Sequence, residues 1–201
     1  IPAIMAFMKA NRLDKVALNA ANAKIGIVSS GKPFADVMQA LDMLGIDEDT
    51  AAAIGVKVYK VGMIWPLEPT GLKEFAEGLD EIFVIEEKRA FLEPQIKEML
   101  FNQRDKFKAV VVGKTDENGE VLIPETGETS PQLIARALAR RLDLYLDRNR
   151  EEIHEDIHNK LALIDARDRG SNQPSSGVVR MPYFCSGCPH NSSTKVPDGS
   201  R

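Results

Sequence analysis

This 201-residue sequence has little thiol and little imidazole. It holds two cysteines, Cys185 and Cys188, and three histidines, all beyond residue 150. Two thiols cannot complete a four-sulfur site, so a zinc or iron-sulfur centre would need further ligands from elsewhere. With no G-x-S-x-G string and no histidine in the first three quarters of the chain, no Ser-His-Asp arrangement can be proposed. Neither G-x-x-x-x-G-K-[ST] nor G-x-G-x-x-G occurs, which removes the two common nucleotide-phosphate loops. Apolar runs stay far short of the roughly 20 residues that cross a bilayer. The start IPAIMAFMKANRLDK lacks the charged-then-apolar order of a secretory signal. A cytoplasmic protein without a membrane partner is expected. A net charge of −4 with both signs spread along the chain lacks the basic footprint that nucleic acid requires. Internal repeats and low-complexity segments are also missing. The first residue is Ile1, and a short apolar stretch leads straight into a polar one, as expected of a segment from the interior of a longer protein.

What is there reads as one packed domain with an appendage. Apolar residues make up 43% and charged residues 28% of the chain, the balance of a globular protein. Lys24 to Ser29 (KIGIVS) is a β-branched strand, closed by Ser30-Gly31. Pro33 then suits the first turn of a helix that carries Phe34, Val37, Met38, Leu41 and Leu44 at helical spacing and ends at Gly45. Val56 to Val61 is a second strand, reached through an acidic loop and a short AAAIG stretch. A Pro- and Gly-punctuated loop leads to a short helix around Leu72 to Glu77. Ile82 to Glu86 is a third strand, Phe91 to Phe101 a helix and Lys108 to Val112 a fourth strand. Alternating strands and helices predict an open α/β sheet, three-layered and doubly wound.

Gly113 to Pro131 is turn-rich, with Asn118-Gly119 between two β-prone pieces, and predicts a small hairpin or an excursion. Ser130 caps the next helix, which aligns Leu133, Ile134, Ala137, Leu138, Leu142 and Leu146. The domain organisation expected is an N-terminal linker or helix over 1–19, the α/β domain over 20–150, a helical extension and linker over 151–179, and the truncated start of another domain, an irregular arm, over 180–201. SNQPSSG is a linker by composition.

Several groups carry possible chemistry. In C-S-G-C-P-H-N, Ser186-Gly187 lets the backbone fold so that Cys185 and Cys188 can face one metal or cluster, with His190 as a further ligand or base. The same spacing serves thiol-disulfide pairs, or an inert turn. Ser29, Ser30, Gly31 and Lys32 join a strand to a helix start, where free amides favour an anion; the plainer reading is a helix cap. Glu86-Glu87-Lys88-Arg89 lies where the third strand ends, which is where ligands gather in open α/β sheets, and Glu87 is the candidate for acid-base or interface work. Trp65-Pro66-Leu67-Glu68-Pro69 is either a turn covering the core edge or a contact surface. His154 and His158 stand four apart, a spacing that can bind metal, but without an accompanying carboxylate pattern they read as solvated helix surface.

Taken in order, KIGIVSSGKPFADVMQALDMLGID, GVKVYKVGMIWPLEPTGLKEFAEGLDEIFVIEEKRAFLEPQIKEMLF, VVGKTDENGEVLIPETGETSPQLIARALARRL and RMPYFCSGCPHNSST resemble the long fused indolepyruvate ferredoxin oxidoreductases of bacteria. The resemblance covers nearly the whole chain. It implies a transketolase C-terminal-like domain, set between the domains that hold the pyrimidine and the diphosphate of thiamine diphosphate. The parent enzyme would oxidatively decarboxylate an aryl 2-oxoacid to an acyl-CoA. Its cofactors would be thiamine diphosphate, Mg2+ and a [4Fe-4S] cluster, with coenzyme A and ferredoxin as partners. This chain would be a non-catalytic scaffold, inactive and cofactor-free alone, that packs the cofactor domains and helps form a homodimer. Cys185 and Cys188 match a pair of cluster ligands in related enzymes. Their continuation Pro189-His190 departs from the Cys-Gly-acid pattern, so Cys188, Pro189, His190 and Asn191 could instead line the thiamine site. Two readings compete with this one: a free-standing anion- or nucleotide-binding α/β protein, and a small metal or redox module built on Cys185 and Cys188.

Overall fold

Four short runs rich in β-branched residues become the parallel body of one five-stranded sheet in the computed structural model, which describes residues 1–145, 150–171 and 183–199. In chain order the elements are α1 (Pro2–Ala10), β1 (Lys15–Leu18), β2 (Ile25–Ser30), α2 (Gly31–Met43), α3 (Glu48–Ile54), β3 (Val56–Val61), α4 (Pro69–Ala76), β4 (Glu81–Ile85), α5 (Leu92–Phe101), β5 (Val110–Val112), α6 (Pro131–Tyr145), α7 (Glu151–Ser171) and α8 (His190–Ser193). The sheet order is β1-β3-β2-β4-β5. The pairs β3-β2, β2-β4 and β4-β5 are parallel, and β1 lies antiparallel on β3.

Strand alternation divides the core into two faces. Ile25, Ile27, Val56, Val58, Phe83 and Ile85 join the cluster that contains Val37, Ala40 and Leu41 of α2, Ile134 and Leu138 of α6, and Ile157 and Ile164 of α7. Val28, Val61, Ile82 and Val84 join Leu72 and Phe75 of α4 and Ile96 of α5. This is the expected three-layer α/β/α arrangement. Gly26 belongs to the second face, where an added Cβ would run into Leu79 and Phe75; only a residue without a side chain lets α4 lie this close to β2. Parallel strands covered on both faces need near-continuous apolar sequence, and every residue of β4 is buried.

Three local expectations change. Residues 1–19 form α1 and then β1, whose four residues are exposed at three positions. A strand this short and this open leaves no alternating signature, and pairing with β3 is what defines it. The acidic loop and the stretch after it form one helix, α3, capped by Asp47, whose side chain accepts from the Thr50 amide at 2.8 Å; seven residues are too few for a helical period to show. The anticipated hairpin at Asn118-Gly119 reduces to one antiparallel bridge, Thr115 to Val121. Gly119 turns the chain at φ +87°. Asp116 holds this turn through the amides of Asn118 and Glu120, each at 2.9 Å.

The chain divides into two units, Ile1–Arg167 and Asp168–Arg201. The first takes in the whole sheet and most of α7. Of the aligned apolar set on α6, Leu146 lies outside the described residues, as does nearly all of the SNQPSSG linker. In the second unit the described residues form a turn at Cys185–Cys188 and the single helical turn α8. Among the described residues no helix is long and apolar enough to cross a membrane.

Candidate functional site

Chain direction points to one place on the sheet. The connection from β2 runs to β3 on one side, and the path from β3 to β4 returns across β2, so β2 and β4 are the neighbours at which strand order reverses. Open α/β sheets bind ligands beyond the carboxyl ends of such a pair. The residues there are Ser29 to Lys32 and Glu86 to Arg89, two of the segments singled out from sequence.

The structure brings them together and gives their polar groups partners. Ser29 Oγ donates to the Ile85 carbonyl at 2.6 Å, and Ser30 Oγ to the Val61 carbonyl at 2.9 Å. Gly31 opens α2 at φ +58°. Lys32 Nζ donates to Asp36 Oδ2 at 2.8 Å and to the Thr129 carbonyl at 2.7 Å, with Glu87 Oε2 at 3.9 Å. The Asp36 carboxylate holds the Lys32 ammonium above the ordinary lysine range, against the smaller effect of burial. Thr129 Oγ1 stands 3.3 Å from Asp36 Oδ2 and 3.4 Å from Glu87 Oε2. An anion at Ser29–Lys32 would meet two carboxylates and hydroxyls already bonded within the fold. The geometry is that of a joint between α2, the β4 end and the segment before α6.

Glu86 and Glu87 divide the work of the β4 end. Glu86 is buried and accepts from the amides of Phe91 and Leu92 at 2.9 Å and of Glu93 at 3.2 Å. It therefore satisfies the free amides at the start of α5, where negative charge is also favoured by the helix dipole. Its own carbonyl accepts from Lys114 Nζ at 2.5 Å, and burial pushes the Lys114 ammonium below its usual range. Glu93 closes the network, with Oε2 accepting from the Lys114 amide at 3.0 Å and Oε1 from Lys97 Nζ at 2.6 Å. Glu87 is the less constrained of the two, touching only Thr129 and, more distantly, Lys32 in these contacts.

Beside this joint lies an apolar ledge. Trp65 and Phe91 are 62% and 45% exposed, and their rings meet edge to face with centroids 6.5 Å apart. Ile64 adjoins them, its carbonyl held by Gln95 Nε2 at 3.0 Å. Glu68 fixes the far end of the loop by accepting from the Thr70 and Gly71 amides at 3.0 and 2.7 Å. Burial raises the Glu68 carboxyl, but those two amides, the Thr70 hydroxyl and the charge of Lys9 together hold the group below the ordinary glutamate range.

The Cys185–Cys188 loop belongs to the second unit. The Cys188 amide donates to the Cys185 carbonyl at 3.0 Å, Gly187 makes the turn at φ +80°, and Cys188 Sγ lies 3.2 Å from His190 Nδ1. Asn191 Nδ2 donates to the Cys185 carbonyl at 2.9 Å. Both thiols are free. They amount to half of a four-thiolate cluster set, so a four-thiolate centre at this loop would need two further ligands.

Two arrangements escaped the reading of the sequence. A concavity of about 680 Å3 opens at the β1 edge, where Asp14 accepts from the Gly62 amide at 2.7 Å and from Tyr59 Oη at 3.3 Å. Burial raises the Asp14 carboxyl despite these bonds. Without β1 in the expected fold, nothing in the sequence pointed there. The second is Asp143, which meets both His154 and His158. The histidine spacing was visible; the carboxylate comes from another helix.

The family model for the indolepyruvate oxidoreductase domain matches residues 15–168. The indolepyruvate oxidoreductase subunit IorA of Pyrococcus abyssi is 29% identical over 169 residues, which cover 84% of this chain and 22% of that protein. The chain thus spans about a fifth of the length of the curated relatives it matches. Among solved structures, a split-gene transketolase aligns at a TM-score of 0.45 and 22% identity, over 66% of this chain and 42% of that one. The 2-oxoglutarate:ferredoxin oxidoreductase of Magnetococcus marinus aligns at 0.44 and 18% identity, over 71% and 24%.

Proposed function

Because the chain belongs to the indolepyruvate oxidoreductase domain family, we propose that it is a non-catalytic scaffolding domain of a larger thiamine-diphosphate-dependent 2-oxoacid:ferredoxin oxidoreductase. The parent would oxidatively decarboxylate an aryl 2-oxoacid such as indolepyruvate to an acyl-CoA and deliver electrons to ferredoxin. The observation that carries the scaffolding role is the filled carboxyl edge of the sheet. At β2 and β4, where this fold class usually binds a ligand, Lys32, Glu86, Glu93 and Lys114 bond to groups of the same domain. Such an edge is stiff and already satisfied, which suits a part that positions neighbours.

The contact surface in this reading is the ledge of Ile64, Trp65 and Phe91. Large exposed aromatics anchor interfaces because they bury much area at small entropic cost. Glu87, one residue beyond the Glu86 that accepts from the Phe91 amide, has fewer partners than Glu86 and is the carboxylate of this strand end that would meet a neighbouring domain or its active site. Cys185 and Cys188 would contribute two thiolates to a cluster completed from outside this chain, or Cys188 to Asn191 would line the thiamine site. Thiamine diphosphate with Mg2+ would supply the carbanion chemistry and the cluster the electron path.

The test uses the full-length enzyme with Trp65→Ala/Phe91→Ala and, separately, Glu87→Ala, reading assembly by analytical ultracentrifugation and turnover per assembled enzyme. The ledge variant is expected to lower the assembled fraction while assembled enzyme keeps its turnover. Glu87→Ala is expected to shift assembly or KM modestly. A fully assembled Glu87→Ala enzyme that lost about 100-fold or more in kcat would mark Glu87 as an acid-base group and sink the non-catalytic reading. Unchanged assembly in the ledge variant would sink the contact surface.

A further inference from the structure

Near the end of α6 and the start of α7 the fold collects three metal-binding side chains. His154 Nε2 and His158 Nε2 each lie 2.9 Å from Asp143 Oδ1. The two imidazole rings stand 4.4 Å apart between centroids, and the ligand atoms of all three residues fall within 4.8 Å of one another. Each side chain is about two-fifths exposed, so the cluster is open to water on one side.

We propose that Asp143, His154 and His158 form a divalent transition-metal site of the zinc class that clips α7 to α6. Histidines four apart on a helix present their nitrogens on one face. A carboxylate from a second helix then supplies the third ligand. With metal-ligand bonds of about 2.0–2.1 Å, neighbouring donors around one ion stand roughly 3 Å apart. The observed separations therefore need only small side-chain adjustments. In the metal-free arrangement both imidazoles converge on one carboxylate oxygen. For each ring to bind metal, its proton sits on Nδ1 and the Nε2 lone pair points inward.

The donor set decides the class of ion. Two imidazoles and one carboxylate suit Zn2+ and its neighbours, whereas Mg2+ and Ca2+ favour oxygen-only sets. Three protein ligands leave a coordination position for water, as the open side allows. The start of the helix is acidic, with Glu151, Glu152 and Glu155 between Arg150 and Lys160, while Asp156 is paired with Lys160 at 2.5 Å. The structural consequence is a further link between two helices that the Arg136–Asp165 ion pair, at 2.7 Å, already joins elsewhere along their length. An ion bound only by the folded form stabilises it by mass action.

The test takes the untagged full chain with Cys185→Ser and Cys188→Ser, so that thiols cannot compete, treats it with chelator and titrates it with Zn2+ by calorimetry and Co2+ by visible absorption. One saturable ion per chain is expected, with slowed amide exchange at the start of α7. His154→Gln/His158→Gln should weaken binding by about tenfold or more, since even loss of an outer-shell partner costs that much. Glu155→Gln should leave it nearly unchanged. If helical ellipticity shows that the histidine variant has lost α7, Asp143→Asn gives the same comparison from α6. No saturable uptake would mean a plain carboxylate-imidazole contact and overturn the proposal. Equal affinity in folded histidine or Asp143 variants would place the ion elsewhere and overturn it too.

Discussion

Arg141 is the residue on which the joining of α6 to the sheet depends most. Its side chain is 3% exposed and its guanidinium grips Glu81, which is fully buried at the start of β4, with Nε 3.0 Å from both carboxylate oxygens and Nη2 closing the second arm. Nη2 also lies 2.9 Å from Glu117. Burial alone would lower the guanidinium's pKa, but the bonds to Glu81 and the added charge of Glu117 raise it above the usual arginine value. Burial, followed by the Glu81 charge and hydrogen bond, pushes the nearby Tyr145 phenol up to about 12. Removing one member of a buried ion pair leaves the other charge uncompensated. Arg141→Ala should therefore lower unfolding free energy by about 3–5 kcal/mol in urea titrations. A loss below about 1 kcal/mol, the range of exposed pairs, would show that water replaces the guanidinium at Glu81.

At the scale of an element, the Asp116–Glu120 turn shows how a loop without sheet partners is held. The carboxylate of Asp116 binds two amides of its own turn, and its other oxygen accepts from Arg140 Nη2 at 2.8 Å. Burial raises this carboxyl, yet the amides of Glu120 and Asn118 and the charges of Arg140 and Arg141 together hold it below the ordinary aspartate value of 3.8. The unfolded chain then takes up the proton first as pH falls, so the contribution is present above about pH 4 and is lost as pH drops through the lower, folded value. Asp116→Asn should be less stable than the parent near pH 6, and the gap in urea midpoint should narrow as the pH is lowered past 3.8. A gap that stayed constant from pH 6 to the acid range would mean that the ionised form is not what holds the turn. In the same element the Asp116 side chain takes the amides of Asn118 and Glu120, while those of Asp116 and Gly119 bond backbone carbonyls within the turn, and the expected hairpin shrinks to one bridge.

For the whole molecule, every buried apolar side chain among the described residues lies at or before Ile164. That core belongs to the unit Ile1–Arg167. A chain ended at Arg167 should unfold in one transition with a Tm within about 4 °C of the full chain, a shift that corresponds to roughly 1 kcal/mol or less for a domain of this size. Circular dichroism melts of the two chains decide it, and a loss of cooperativity would show that residues 168–201 belong to the fold. The four parallel strands, the principal helices and the layer count were legible in the sequence, because parallel strands covered on both faces demand long apolar runs and amphipathic helices repeat every 3.6 residues, whereas the short, exposed β1 was not. The segments near the site were legible too, since Ser29–Lys32, Trp65 and Glu86-Glu87 all follow strand ends. The state of those groups was not. That Lys32 reaches the Thr129 carbonyl, that Glu86 caps α5 while Glu87 meets Thr129 and Lys32, and that Asp143 completes a cluster with His154 and His158 are contacts between residues distant in sequence or from different elements. The few thiols and imidazoles could be counted from the sequence alone. Local spacing records what one helix or strand presents, and only the packing of elements against one another decides what each side chain meets.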